Sequence, residues 1–499
     1  MAQPIDTQPA VNPRRWLALL FIGLAQLMIV LDITVVNIAL PSAQQDLGIS
    51  DGDRQWVITA YTLAFGSLLL LGGRIADYTG RRRSFLIGLI GFAAASALGG
   101  AASGFEMLLA ARALQGVFAA LLAPTVLSLL AVNFTEPRER AKAFGVFGAI
   151  AAGGGAIGLV LGGLLTEYLD WRWCLYVNVP VAAVAVFSWY VLPADERADG
   201  DRARFDVPGV LLAVSGLVAV VYGCSEAESE GWDSLTVTGL LTLGVVLLTA
   251  FVLTERVVPR PLLPLRVITD RTRGGAYLAV GLAVVGMFAM FLFLTYYMQR
   301  VKGYSALVSG VAFLPMTAAV LVSAAGVGTR LLPKVPPRVL MVPGLLIAAV
   351  GVALLIPLEP DSSYAAGILP AELLVGFGMG LTMAPSMNYA THGVQPQDAG
   401  IASATVNTAQ QIGGSVGTAM LNTIAASTTK DYLAPAVRAR EVTPQLAKEG
   451  LVEGFSEAFV WSSVILAAAA VLVGLLMNTP RPSRQPGTEQ AEPLPVHLG

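Results

Sequence analysis

From Trp16 to Leu40 the chain is apolar apart from a few neutral polar residues and one carboxylate, Asp32. About 20 mostly apolar residues suffice to cross a bilayer as a helix. Runs of this kind recur along the whole chain and constrain its fold more than any other feature. Inside lipid every backbone N–H and C=O must find a partner within the protein, so each run is expected to be helical. Fourteen are read, at 16–40, 56–73, 84–102, 107–132, 143–166, 173–192, 207–223, 236–254, 275–299, 306–328, 339–357, 366–389, 401–425 and 456–477. Composition agrees, at 55% hydrophobic and 13% charged, since a soluble chain of this length cannot hide so much apolar surface. The expected class is an all-α integral membrane protein with fourteen transmembrane helices.

Several function classes drop out. A formal net charge of −2 gives no electrostatic case for nucleic acid. Two cysteines and two histidines are too few for a zinc or iron–sulfur framework, so no metal is expected. Gly153, Gly155 and Gly158 match a dinucleotide-binding spacing, but mid-membrane and with no strand before them. Gly413-Gly414-Ser415-Val416-Gly417 matches a hydrolase elbow, but lies within span 13, with His392 and His497 in a loop and a tail. Without a phosphate-binding loop, direct ATP drive is not expected either. The chain therefore reads as a non-enzyme. Arg14-Arg15 before the first run resembles an export signal, yet the run is too long for one and no cleavage pattern follows, so an uncleaved span is read.

Lysine and arginine set the orientation. Most of the 31 fall in the N-terminal tail, the loops after even-numbered spans and the C-terminal tail, which puts both termini in the cytoplasm of a multi-pass cell-membrane protein. The loop from Gly73 to Arg83 and that from Gly328 to Arg338 are both short, basic and glycine-led, each two spans into a six-span block. A parallel repeat follows, with blocks at 15–192 and 275–477. Residues 193–274 would then be a linker with two inserted helices, 1–14 a cytoplasmic tail and 478–499 a disordered one.

Four stretches carry a family resemblance: Leu31 to Pro41; Gly73-x-x-x-Asp77-x-x-Gly80-Arg81-Arg82; Arg112-x-x-Gln115-Gly116; and the glycine-rich span 5 ending Gly158-Leu159-Val160-Leu161-Gly162-Gly163. Asp170-Trp171-Arg172-Trp173 with Tyr176-x-Asn178-x-Pro180 adds to them. The chain resembles the major facilitator superfamily, in its fourteen-span drug:proton antiporter branch. Two positions depart from the pattern, Tyr78 where a basic residue is usual and Leu159 where proline is usual. The first touches a gating ion pair and the second the bend of span 5.

Asp32 and Arg112 stand out on physical grounds as well. At 1.5 Å per residue they lie about 12 Å and about 9 Å inside the outer ends of spans 1 and 4. Neither charge is stable alone in hydrocarbon, so both should face the interior and approach each other. Burial favours a neutral carboxyl and a nearby arginine favours a charged one, which poises such a pair for proton exchange. A gating role for Gly73, Asp77, Gly80, Arg81 and Arg82 rests mainly on the resemblance; close approach at Gly73 and a cap or ion pair at Asp77 would serve it. Gly154, Gly158 and Gly162, with Gly163, form a ridge for close helix packing. Glu106, Glu372 and Glu457 each read as first-turn residues, where the helix dipole favours them; Glu372, after Pro370, is the first choice among them to reach a cavity, and Asp32 is the one acid placed deep in a span.

The substrate path is expected to be apolar and aromatic with neutral polar handles. Candidates are Asn37, Gln115, Phe288, Tyr296, Tyr297, Met379, Met383, Asn388, Asn407 and Gln411. Span 10 lacks the carboxylate that some branch members carry, which by resemblance implies neutral, zwitterionic or monocationic substrates. Cys174 and Cys224 fall near the outer ends of spans 6 and 7, but nothing requires two cysteines to meet. The expected function is export of small amphipathic compounds, driven by the proton gradient with no cofactor, by alternating access. Dedicated export of one metabolite, or lipid flipping, are the alternatives. The partners are substrate, protons and the bilayer; oligomeric state is open.

Overall fold

The computed structural model describes residues 13–134, 136–193, 206–258, 261–331, 334–390, 394, 399–439 and 441–477. Both tails beyond residues 13 and 477, most of the 193–206 linker, and His392 lie outside them. The described residues form helices and short connections, with no strand. In chain order the helices are α1 (Arg15–Leu47), α2 (Trp56–Thr79), α3 (Arg81–Gly100), α4 (Phe105–Asn133) and α5 (Pro137–Tyr168). The broken helix α6 (Trp173–Tyr190) follows, then α7 (Val207–Glu230) and α8 (Leu235–Val257). The rest are α9 (Arg271–Val301), α10 (Ala306–Gly328), α11 (Arg338–Ala353), α12 (Tyr364–Ala390), α13 (Ala399–Ala439) and α14 (Pro444–Leu476). Among the described residues, 11 of these are long and apolar enough to cross a membrane, and α11 is a shorter apolar helix. Helices α5 and α13 cover the runs expected at 143–166 and 401–425.

Several boundaries move from where the sequence put them. Helix α1 runs through Pro41 and stops at Gly48, whose φ of 64° closes the helix with an N–H bond to the Gln44 carbonyl. Asp32 therefore lies deeper along its helix than a span ending at Leu40 implied. Helix α12 opens with a π turn, Tyr364–Ile368, before Pro370. Glu372 keeps its place in the first turn of the α-helical part, Leu369–Ala390, with that π turn before it. Glu457 sits well within its helix, because α14 starts at Pro444. Glu106 keeps its first-turn place, in α4.

Helices α1 to α6 make one bundle and α9 to α14 another. In the first, α1 packs on α5, and α2 and α3 on α4. In the second, α9 packs on α13, and α10 and α11 on α12. Between bundles, α2 meets α13 and α5 meets α10. Phe85, Phe92 and Leu122 are buried in the first core, and Phe293 stacks 5.4 Å from Phe455 in the second. Helices α7 and α8 pair with each other, and α7 rests on α13, where Thr423 donates to the Cys224 carbonyl at 2.9 Å. Helix α8 leaves Leu235, Val245, Val246 and Val257 exposed, as a lipid-facing helix does.

Candidate functional site

Asp32 and Arg112 meet in the core of the first bundle. Asp32 is 0% and Arg112 1% exposed, and Arg112 Nη1 lies 2.5 Å from Asp32 Oδ2. Two amides complete the carboxylate's shell on its other oxygen: Gln115 Nε2 donates to Oδ1 at 2.7 Å and Asn178 Nδ2 at 3.0 Å. Both amides also donate to Ser96 Oγ, at 2.7 and 3.2 Å. Arg112 is fixed by Nε donation to the Val57 carbonyl at 2.8 Å and Nη1 donation to Gln115 Oε1 at 2.8 Å. Its guanidinium carbon lies 4.5 Å from the Tyr61 ring centroid. Five helices, α1, α2, α3, α4 and α6, thus converge on one negative charge. Such a shell holds the carboxyl through directed, charge-assisted donors. A proton on Asp32 would remove the negative charge that three donors share and take up one acceptor position, weakening the hold of α1 on α4 and α6.

The pair is insulated on one side. A void of about 10 Å³, lined by Val36, Leu108, Trp171, Cys174 and Leu175, lies against Arg112. It has room for about one water, but an apolar lining of this kind stays dry. Beyond it, the end of the molecule that carries residues 41–55 and 299–306 is closed by bonds between the bundles. Arg54, 2% exposed, donates from Nε to Asn422 Oδ1 at 3.0 Å and lies 4.2 Å over the Tyr296 ring. Asn422 Nδ2 donates to the Asp51 carbonyl at 3.2 Å. Gln299 and Arg300 donate to the Ile38 and Pro41 carbonyls, each at 3.0 Å. The Leu307 N–H donates to Glu167 at 3.1 Å. Nearer the middle, the Thr62 and Ser415 hydroxyls bond at 2.7 Å. A cleft of about 240 Å³, lined by Pro41, Gln45, Glu167, Gln299, Arg300 and Tyr304, remains at that end.

The glycine ridge packs as its spacing implies. Gly154 lies on Leu27, Gly158 on Thr34 and Gly162 on Val35, all of α1. Gly163 turns to the other bundle, where an added Cβ would stand 2.5 Å from Leu307 Cα and 2.8 Å from the Ala306 oxygen. In the loop motif the close approach belongs to Gly72, not Gly73. A Cβ on Gly72 would run into the Ala120 carbonyl, whereas one on Gly73 would meet Pro124 at an ordinary 3.6 Å. Gly80 is needed for its φ of 94° between α2 and α3. Arg82 stacks 3.6 Å over Trp189, and Arg81 is half-buried. The Asp77 side chain lies outside the described residues, as does that of Phe288.

The candidate path residues do not form one lining. Gln115 belongs to the Asp32 shell. Asn37 is buried and donates back to the Ile33 carbonyl at 2.9 Å. Tyr296 lies under Arg54, and Tyr297 donates to the Glu359 carbonyl at 2.6 Å, so both serve the closed end. Gln411 is buried where α13 crosses Gly66 of α2. Met379 is buried, Met383 and Asn407 are half-buried, and Asn388 is exposed. Cys174 and Cys224 are both free. Among the described residues no group of three His, Cys, Asp or Glu side chains could hold a metal.

Sequence reasoning passed over Ser96 and Asn422, took Asn178 only as a family-like residue, and left Arg54 in a loop. Uncharged polar residues are common in spans and carry no signal of their own. Arg54 had one available signal, an arginine within two residues of an apolar run. Glu372 overturns the expectation that Asp32 is the one deep acid: it is 0% exposed.

Residues 22–418 match the Major Facilitator Superfamily. The chain is 54% identical to the Puromycin resistance protein pur8 of Streptomyces alboniger, over 94% of this chain and 92% of that one. It is 39% identical to the Cephamycin export protein CmcT of Amycolatopsis lactamdurans, over 96% and 95% of the two. Its fold is similar to that of a bacterial homologue of the human lysosomal transporter Spinster, crystallised inward-facing and unoccupied. There the TM-score is 0.64 at 18% identity, covering 93% of this chain and 97% of the other. The chain therefore belongs to the Major Facilitator Superfamily, and is a multi-pass membrane transporter rather than an enzyme.

Proposed function

We propose that the protein exports small amphipathic, antibiotic-like compounds across the cytoplasmic membrane in exchange for protons. The observation that carries this reading is the Asp32 shell. A membrane-buried carboxylate bonded to Arg112, Gln115 and Asn178 is an expensive feature for packing alone, since an apolar residue would fill the site at lower cost. Asp32 takes a proton when its side of the bundle opens to the outside and returns it when the bundle opens inward. The proton releases the Arg112 bond, so α1, α4 and α6 can reorient. All fourteen helices are read as spans with both termini cytoplasmic, and the matching packing pairs α2–α13 and α5–α10 support a two-bundle repeat. On that reading the end closed by Arg54 and Arg300 is the outer one, and the conformation is ready to load from the cytoplasm.

Two of the relatives' names support a narrow range. Puromycin resistance and cephamycin export each name a single antibiotic. The test is transport of puromycin and cephamycin into inverted vesicles or proteoliposomes under an imposed pH gradient. Wild type should accumulate a compound of this class, and Asp32→Asn should lose the dependence on the gradient. If Asp32→Asn keeps full gradient-driven transport, proton coupling does not run through Asp32.

A further inference from the structure

Glu372 is a buried acid in the other bundle, as fully enclosed as Asp32, and its surroundings differ from those of Asp32. It is 0% exposed on α12, about 12 Å along the helix from Tyr364 at 1.5 Å per residue. Among the described residues its one hydrogen-bond partner is the Tyr364 hydroxyl, 3.2 Å from Oε2, and Oε1 is buried with none. The helices packed on α12 bring no counter-charge. Residues 306–328 and 339–353 contain no ionisable side chain, and Arg338 opens α11 at the end away from Gly351, which meets Ala371. Helix α9 carries its own only at its ends, Arg271, Arg273 and Tyr277 at one, Tyr296, Tyr297 and Arg300 at the other, and α13 carries Lys430, Asp431, Tyr432 and Arg438 in its last turns. Tyr304, on the connection after α9, faces Tyr364 from the cleft side.

Hydrogen counting then assigns the proton. The Tyr364 hydroxyl has one hydrogen and lies 2.7 Å from the Ala312 carbonyl, an acceptor with no proton of its own. That hydrogen therefore belongs to the shorter bond. The contact with Glu372 Oε2 is a bond only if the carboxyl supplies the hydrogen, that is, as the neutral acid. An ionised Glu372 here would be a buried charge with no cation and a single donor already engaged elsewhere.

We propose that Glu372 is a second proton-carrying site, loaded as the neutral acid in this conformation. The proton enters from water in the outer cleft beside Tyr304 and leaves toward the cytoplasm on discharge. The Tyr364 O–H turns from the Ala312 carbonyl to the new carboxylate. The two states thus differ by one proton and by which acceptor Tyr364 serves, so movement of α10, which carries Ala312, is tied to loading. The role in transport rests on the proton-coupled export reading; the proton on Glu372 does not.

The two are separated by infrared difference spectroscopy on the full chain in lipid, stepped between neutral and alkaline pH. Wild type should show the C=O band of a protonated carboxyl at neutral pH. Glu372→Gln, which keeps the shape of the neutral acid, should remove it, while Asp32→Asn should retain it. Tyr364→Phe should move the band to higher frequency by removing its hydrogen-bond acceptor. A band unchanged in Glu372→Gln, or absent from wild type, overturns the proposal. In proteoliposomes with the membrane potential clamped at zero, each coupled proton adds about tenfold to the puromycin ratio per pH unit. Glu372→Gln should lower that ratio about tenfold while leaving a gradient dependence through Asp32, and an unchanged ratio refutes the role in transport. If wild type moves no puromycin, the export reading fails, and the infrared result still decides Glu372.

Discussion

Arg54 of the first bundle donates to Asn422 of the second across 3.0 Å, with the guanidinium buried over Tyr296. A hydrogen bond to a buried charge contributes about 1.5–3 kcal/mol. Asn422→Ala should therefore shift the balance away from this closed end by about tenfold to a hundredfold. Spin labels at Ser42→Cys and Ser305→Cys, in a chain lacking Cys174 and Cys224, report the opening as a longer distance. An unaltered distance distribution would show that the latch lies elsewhere.

Asp32→Asn should also weaken the fold. It leaves the Arg112 charge buried without a counter-ion, a loss of about 3–5 kcal/mol for a pair broken on one side. Adding Arg112→Gln should restore most of the thermal stability in detergent, but not gradient-driven transport. Recovery of both would reduce the pair to a structural device.

Gly163→Leu puts a side chain where the backbone of Leu307 and Ala306 already stands. The bundles should be held apart at that end, transport should fall at least about tenfold, and the spin-label distance should lengthen. Gly155→Ala is the control, because a Cβ there meets nothing within 4 Å. Equal transport by both variants would mean that the α5–α10 contact is not used in the cycle.

On the opposite end Arg15 clamps α1 to α5 through two bonds to Glu139, at 2.8 and 2.7 Å. The hydrogen bond from Arg15 holds the Glu139 carboxyl below its ordinary range. The sign follows from linkage: a depressed acid adds stability above its unfolded value and loses it as pH falls through the folded one. Amide exchange in the first turns of α1 should stay slow at neutral pH and accelerate only once the pH falls below the ordinary glutamate range. Arg15→Gln should move that acceleration to higher pH, and acceleration at the same pH in both chains would dismiss the clamp.

How much of this could be read in advance depends on what each residue contrasts with. Asp32 and Arg112 stood out because a charge inside an apolar run is costly, and cost is visible in one dimension. The glycine ridge was legible because four-residue spacing maps onto one helix face. Ser96 and Asn178 carry no such contrast and acquire their role only when five helices bring them to one carboxylate. Arg54 was hidden by its position in a connection, since nothing in the chain shows a short turn folding inward beneath Tyr296. Glu372 was placed in a first turn, where it is, but its burial comes from the π turn before it and the helices packed on it, and neither shows in the chain alone. Gly72 and Gly73 differ by one residue, about 100° around a helix, which spacing cannot resolve without the neighbour.

The crossing of α5 and α10 is backbone on backbone. Gly163 faces Leu307 and Ala306, and Gly310 faces Leu159. Knobs that fit into holes must unlock before two helices slide, and each unlocking forfeits many small contacts at once. A surface without knobs has no such ratchet. The two bundles can roll on this bearing with little friction, so the crossing sets the axis of motion but not its resting positions. The position closed at this end is held by the directional bonds of Arg54, Gln299 and Arg300, which are made or broken outright.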